Sequence, residues 1–300
     1  MKILIGAAIL IVFLCVHLIK MMRMYLIVMD RKVSFDRFVP AYLRTTLVNL
    51  IIPYKLGELY RVGVFYRISG GFKTGFFSVL IDRFFDTLAL ILILLPYQLF
   101  ISGKVTVPTV LLTVFVIVVL MTYRVFPPSY EFLNRYIITS RDSKRSMMAL
   151  AALESVNGWY LYVRDLVKGR YGILLLFSLA AWILEITVLA GFSKICNMSF
   201  TVSDFGVYIE SIVSGSNYDT KIRYTIASAA TIAALTVVFT VRYLIIQHRN
   251  KKIKEIAAKR QPNGRLPNRS GKRDFHNETI FHKTADPVPG VCRRYRGLFP

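Results

Sequence analysis

Residues 50–88 read LIIPYKLGELYRVGVFYRISGGFKTGFFSVLIDRFFDTL, and the fold turns on how this stretch is read. Its first part, Pro53-x-x-x-Gly57-Glu58-x-x-Arg61, is a polar segment directly behind a short apolar one. Its second part, Asp82-Arg83-x-x-Asp86, puts three charges inside an otherwise continuous hydrophobic run. Ionisable groups at membrane depth cost roughly 2.5–3.5 kcal/mol each on insertion scales, so they are usually paired and usually mark a function. The question is whether this chain lives in a membrane.

Composition says that it does. Of 300 residues, 55% are hydrophobic and the mean hydropathy is +0.50, above the usual apolar share of a soluble domain. Several runs reach the roughly 20 residues that cross a bilayer core. The net charge of +22 is concentrated beside the hydrophobic ends and in residues 248–300, which hold 14 Lys and Arg against 4 Asp and Glu. That pattern fits a cytoplasmic face next to anionic lipid. Binding of nucleic acid is not expected. Cys15, Cys196 and Cys292 have no paired spacing, so neither a disulfide framework nor a metal site is predicted.

Outward from the central stretch, residues 2–20 form a first span. Basic residues follow this run (Lys20, Arg23, Arg31, Lys32, Arg37) rather than precede it, so it reads as an uncleaved span with the N-terminus outside. Residues 40–52 are too short to cross and are broken by Pro53 and Gly57, which predicts a re-entrant segment. Residues 74–100 span outward and 105–123 return. Residues 124–170 make a basic inner segment opened by Pro127-Pro128, part of it suited to the membrane surface. Residues 171–196 span outward carrying Glu185. Residues 197–220 are acidic and outer, with a second short segment, FGVYIESIVSG. Residues 222–247 return to a basic cytoplasmic tail, 248–300, that reads as disordered. The expected architecture is all-α and multi-pass, with about five full spans and two re-entrant or broken helices. The first and last units run in opposite directions, a pattern that suggests an inverted repeat like those of transporters.

On a helix Asp82 and Asp86 share a face, and Glu58 and Arg61 are three apart. Lys55, Arg61 and Arg83 suit a phosphate, the arginines by a bidentate fork. Glu58, Asp82 and Asp86 suit a cationic substituent, or simply neutralise those bases. Two readings stay open: a polar cleft for a lipid headgroup, or internal ion pairs that stitch the broken helix to its neighbour. Glu185 needs a partner or a cavity. No nucleophile–base pair, HExxH or Walker loop is present, so catalysis is disfavoured and no cofactor is expected.

These residues carry a resemblance. Pro53-x-x-x-Gly57-Glu58-x-x-Arg61, then Asp82-Arg83-x-x-Asp86-x-x-Ala89-Leu90, is similar to the flippase-like membrane domain of lysylphosphatidylglycerol synthases. Trp182-x-x-Glu185 and the later FSKICNMSFTVSDF resemble that family's second-half span and exit loop. The likeness extends over about residues 1–247. Two departures stand out: Asp82 occupies a position where the family tends to have Glu, and the Pro-Gly-Gly-x-Gly-x-x-Glu element is reduced to Gly206-x-x-x-Glu210 or Ser214-Gly215-Ser216. The resemblance implies a cytoplasmic-membrane protein that moves, or helps to move, a phospholipid or polyprenyl-linked headgroup. Its partners would be anionic phospholipid or polyprenyl phosphate. A non-catalytic subunit for a glycosyltransferase or lipid-modifying enzyme of envelope biosynthesis is the alternative. Lysyl transfer to phosphatidylglycerol is disfavoured, because the soluble transferase domain of the full-length synthases is not seen after Gln247.

Overall fold

The computed structural model describes residues 2–31, 33–52, 56–140, 144–195, 208 and 219–260. Those residues form helices and no strand: α1 (Lys2–Val28), α2 (Phe35–Ile51), α3 (Gly57–Ser69), α4 (Phe72–Tyr97), α5 (Val107–Ser140), α6 (Lys144–Val167), α7 (Tyr171–Ile195) and α8 (Asp219–Arg260). A 3-10 turn, Met29–Arg31, closes α1, and a π turn, Gln98–Ser102, closes α4. The chain divides into the units Met1–Lys251 and Lys252–Pro300. The second is described only over 252–260, as the last turns of α8.

Among the described residues, four helices are long and apolar enough to cross a membrane: Gly6–Arg31, Val107–Thr139, Tyr171–Ile195 and Ile222–Ile253. At 26 residues α4 is also of spanning length, about 39 Å. It stands apart from the other four because Asp82, Arg83 and Asp86 interrupt its apolar run. The fold is therefore an all-α, multi-pass membrane protein. Apolar side chains on the outer faces of α5 (Val114, Phe115, Val118, Met121) and α8 (Val237, Val238, Val241) are exposed. A bilayer would cover such surfaces without cost.

The first span is longer than residues 2–20. After Lys20 the sequence MMRMYLIV keeps apolar residues in helical register, and Met24, Ile27 and Val28 are buried. The helix therefore continues to Val28 and takes Lys20 and Arg23 into the bundle rather than into a loop. Against α7 it runs antiparallel: Ile9 meets Gly191, Lys20 meets Glu185, Arg23 meets Ser178, and Arg170 reaches the Leu26 carbonyl. Two apolar clusters result. One joins Met24, Ile27 and Val28 to Phe38, Phe65, Val79 and Leu174. The other joins Phe13 and Val16 to Ala89, Leu94, Leu189 and Ile232. Along α1, Lys20 and Arg23 fall between the two.

The broken segment is a helical hairpin. Phe38 packs against Phe65 with the rings tilted, Arg61 lies over the Tyr42 ring, and Asn49 donates to Glu58. Contacts in that order can come only from antiparallel arms. The arms are about 26 and 20 Å long, both shorter than a bilayer core. Gly57 is needed for close approach: a Cβ there would lie 2.6 Å from the Asn49 Cα. Gly75 does the same between α3 and α4, where a Cβ would lie 2.6 Å from the Tyr66 backbone nitrogen.

One further expectation changes. Pro127-Pro128 opens no loop; both prolines lie inside α5, which continues for 34 residues, about 51 Å. Only the Tyr123 and Arg124 carbonyls lose their helical partners, and Arg124 is exposed. The segment read as suited to the membrane surface is α6, which packs against α5, with Tyr160 against the Tyr123 and Phe126 rings. Its Leu166 and Val167 enter the first apolar cluster. The second short segment lies outside the described residues apart from Tyr208, so the inverted repeat remains an expectation.

Candidate functional site

Helix periodicity assembles the site from four elements. On α1, Lys20 and Arg23 are three residues apart and both reach side chains of α7. On α4, Asp82 and Asp86 are one turn apart, with Arg83 beside them. On α7, Ser178, Trp182 and Glu185 lie along the face that meets α1. On α3, Glu58 and Arg61 are three apart at the start of the second hairpin arm, held there by the Gly57 and Gly75 contacts.

Asp82 is the centre. Its carboxylate is fully buried, accepts hydrogen bonds from two arginines and is ion-paired with a third. Arg23 contributes Nε at 2.8 Å to Oδ1, Arg83 contributes Nη2 at 2.9 Å to Oδ2, and Arg61 Nη1 lies 3.3 Å from Oδ2. Arg23, 1% exposed, also donates Nη1 to Asp86 at 2.9 Å and to the Ser178 hydroxyl at 2.8 Å. Arg83 approaches Asp86 and Glu58 at 3.5 Å each, and its side chain is 39% exposed. Trp182 donates its indole N–H to the Asp86 carbonyl at 3.1 Å. One turn further along α1, Lys20 pairs with Glu185 and sits 5.5 Å from the centre of the Trp182 ring.

Four cations (Lys20, Arg23, Arg61, Arg83) thus face four carboxylates (Glu58, Asp82, Asp86, Glu185). Isolated charges could not survive in this apolar setting; a balanced and mutually bonded set can. The bonding is nonetheless incomplete. Arg23 Nη2, Arg61 Nε, Arg83 Nε, Glu58 Oε2 and Asn49 Oδ1 are buried without a hydrogen-bond partner among the described residues. Buried polar atoms are rarely left so, and five within one cluster call for an explanation.

Of the residues singled out from the sequence, Glu58, Arg61, Asp82, Arg83 and Asp86 come together in one network, and Glu185 joins it through Lys20. Gly57 contributes close packing. Lys55 and Pro53 lie outside the described residues. Sequence reasoning missed Lys20 and Arg23, taking them for the basic flank of a shorter span. A signal was available: four carboxylates stood against Lys55, Arg61 and Arg83, one cation short of balance. Asn49, Tyr42 and Ser178 were also missed, being neutral residues in helices that offer no distinctive pattern. Among the described residues no group of three or more His, Cys, Asp or Glu is placed to hold a metal ion.

Comparison with curated proteins and with solved structures finds no match. A family model does match. It is described as the lysylphosphatidylglycerol synthase TM region and covers residues 1–214, with every helix of the charged network inside it and α8 beyond it. Since the match takes in well over half of the chain, and since the network is built on the same Glu58–Arg61 and Asp82–Asp86 motifs that carry the resemblance, the chain belongs to the lysylphosphatidylglycerol synthase TM region family.

Proposed function

We propose that this protein moves, or helps to move, a phosphate-bearing lipid headgroup across the cytoplasmic membrane, and that the Asp82 network is the polar station on its path. The observation that carries this reading is the set of unpartnered buried atoms. Arg61 Nε and Arg83 Nε are donors aimed into one cluster, and Glu58 Oε2 and Asn49 Oδ1 are acceptors beside them. A headgroup combining a phosphate with hydroxyl or ammonium donors complements that set. The short α2–α3 hairpin, read as re-entrant, brings Glu58 and Arg61 to membrane depth.

The arginines divide the work. Arg23 is buried and donates to Asp82, Asp86 and Ser178, so it is held in place and keeps both carboxylates neutralised throughout. Arg83 is half-exposed and shares its partners with the other arginines, so it is free to turn toward a phosphate. Its departure leaves Asp82 still paired with Arg23 and Arg61. A phosphate taken by the Arg83 fork trades one set of charge-assisted bonds for another, which keeps the barrier low. Acyl tails would stay in hydrocarbon beside the exposed flank of Arg83. With no nucleotide site in the sequence, the exchange would be facilitated or driven by a partner. Leaflet exchange of labelled lipid by the reconstituted full chain, with Arg83→Ala beside the wild type, tests the proposal.

A further inference from the structure

At the inner-facing end of α4, by the charge pattern, lies a second polar feature. A cavity of about 490 Å³ is lined by Asp30, Arg31, Ser69, Lys73, Thr74 and Tyr162, together with Gly71 and Phe72. It is separate from the Asp82 network: Thr74 and Asp82 are eight residues apart on α4, about 12 Å of helix. The translocation reading uses none of its residues.

The chemistry of the lining is that of an anion site with one committed and one uncommitted cation. Arg31 is fixed by Asp165 at 2.9 Å and lies over the Tyr162 ring at 4.5 Å, yet its Nε is buried without a partner. Lys73 is exposed and makes no ion pair among the described residues. Asp30, the one acid in the lining, is already occupied by Arg170. Thr74 and Tyr162 share a hydrogen bond at 2.6 Å, which holds both hydroxyls at the wall. A guanidinium, an ammonium and the one hydroxyl hydrogen that the Thr74–Tyr162 pair leaves free suit one phosphate, and an open cavity of this size has room for a glycerol beside it.

What lies beside the cavity selects the source of that phosphate. Tyr66, Phe72 and Phe76 are 48%, 63% and 40% exposed. They form one continuous aromatic shelf, Tyr66 edge-on to Phe72 and Phe72 stacked on Phe76 at 5.9 Å. Exposed rings next to cations at the end of a membrane helix belong to the headgroup level of a bilayer. A soluble anion needs no such shelf, whereas the glycerol and first methylenes of a lipid do. We infer that this cavity docks the phosphate of an anionic phospholipid at the membrane boundary, with Arg31 and Lys73 on the phosphate and Phe72 and Phe76 against the upper acyl chains.

The test uses the purified full chain in a non-ionic detergent, reading the thermal unfolding midpoint against added dioctanoyl phosphatidylglycerol. Dioctanoyl phosphatidylcholine and inorganic phosphate serve as the comparison ligands. A saturable upward shift is expected with phosphatidylglycerol and not with the other two. In Lys73→Glu the half-saturating concentration should rise about tenfold, the equivalent of 1.4 kcal/mol; Lys73 is exposed and makes no ion pair among the described residues, so the substitution should leave the fold intact. Arg83→Ala, which removes the phosphate contact proposed for the Asp82 network, should still show a saturable shift with phosphatidylglycerol, which separates this site from that network. An unchanged response in Lys73→Glu, or a response lost in Arg83→Ala, overturns the assignment. An equal shift with inorganic phosphate overturns the lipid source. The docking site stands or falls by these readings whether or not the chain exchanges lipid between leaflets.

Discussion

Three guanidinium groups meet one carboxylate at Asp82, and their different burial predicts different consequences of mutation. Asp82→Asn leaves Arg23, 1% exposed, and Arg61, 4% exposed, without their shared anion. Removing one partner of a buried charge set costs about 3–5 kcal/mol. Asp82→Asn should therefore lower the unfolding midpoint sharply or abolish the monodisperse protein on gel filtration. Arg83→Ala should spare both, because Arg83 is partly exposed and its partners keep other arginines. The Lys20–Glu185 pair offers a second check. A double-mutant cycle with Lys20→Ala and Glu185→Ala should give a coupling of about 0.5–3 kcal/mol in unfolding free energy; additive losses would show that the pair is not formed. The acids and two of the arginines were legible in the sequence because charges inside apolar runs are conspicuous. Lys20 and Arg23 were not, because a basic residue near the end of a span has an ordinary explanation at the water boundary. Only the length of α1 brings them inside.

At the level of the element, the α2–α3 hairpin positions Glu58 and Arg61. Gly57→Ala and Gly75→Ala each force a Cβ to within 2.6 Å of backbone on the facing helix. Overpacking of this kind costs typically 1–3 kcal/mol. Each variant should unfold at a lower temperature than wild type, and Gly63→Ala, with nothing within 4 Å, should not. The sequence marked the break at Pro53 and Gly57 from helix-breaking chemistry alone. It did not show that Gly57 is there for contact distance, since a close approach involves two segments and only one is visible in a motif. The re-entrant reading predicts that Ser34→Cys and Ser69→Cys, at the outer ends of the two arms, react with an impermeant thiol reagent from the same side. Labelling from opposite sides would make the segment a crossing. At the prolines of α5 the reverse lesson holds: Pro127-Pro128 is a strong local stop signal, but flanking residues with enough helical preference carry the helix through when the freed carbonyls can reach solvent.

For the whole molecule, α1 runs antiparallel to α7, and Phe13 and Phe192 both meet Tyr224 near the start of α8. With the basic ends inward, Lys104 should sit on the outer side and Arg170 on the inner. Cysteines substituted at those positions in a spheroplast preparation should label from outside and only after permeabilisation, respectively; the opposite result would invert the orientation. Hydropathy and charge were enough to read the multi-pass helical architecture, because a bilayer leaves the backbone few alternatives. The pairing of helices was beyond them, since the side chains that choose partners are buried between apolar faces of similar composition. The account rests on the Asp82 network handling a lipid phosphate through Arg83. Its most direct test is leaflet exchange in liposomes holding the full chain, with labelled phosphatidylglycerol, an aminoacylated form and a polyprenyl phosphate. Exchange of one headgroup class above empty liposomes, lost in a folded Arg83→Ala variant, is the predicted result. Wild-type rates in Arg83→Ala, or no exchange of any of the three lipids, would contradict it.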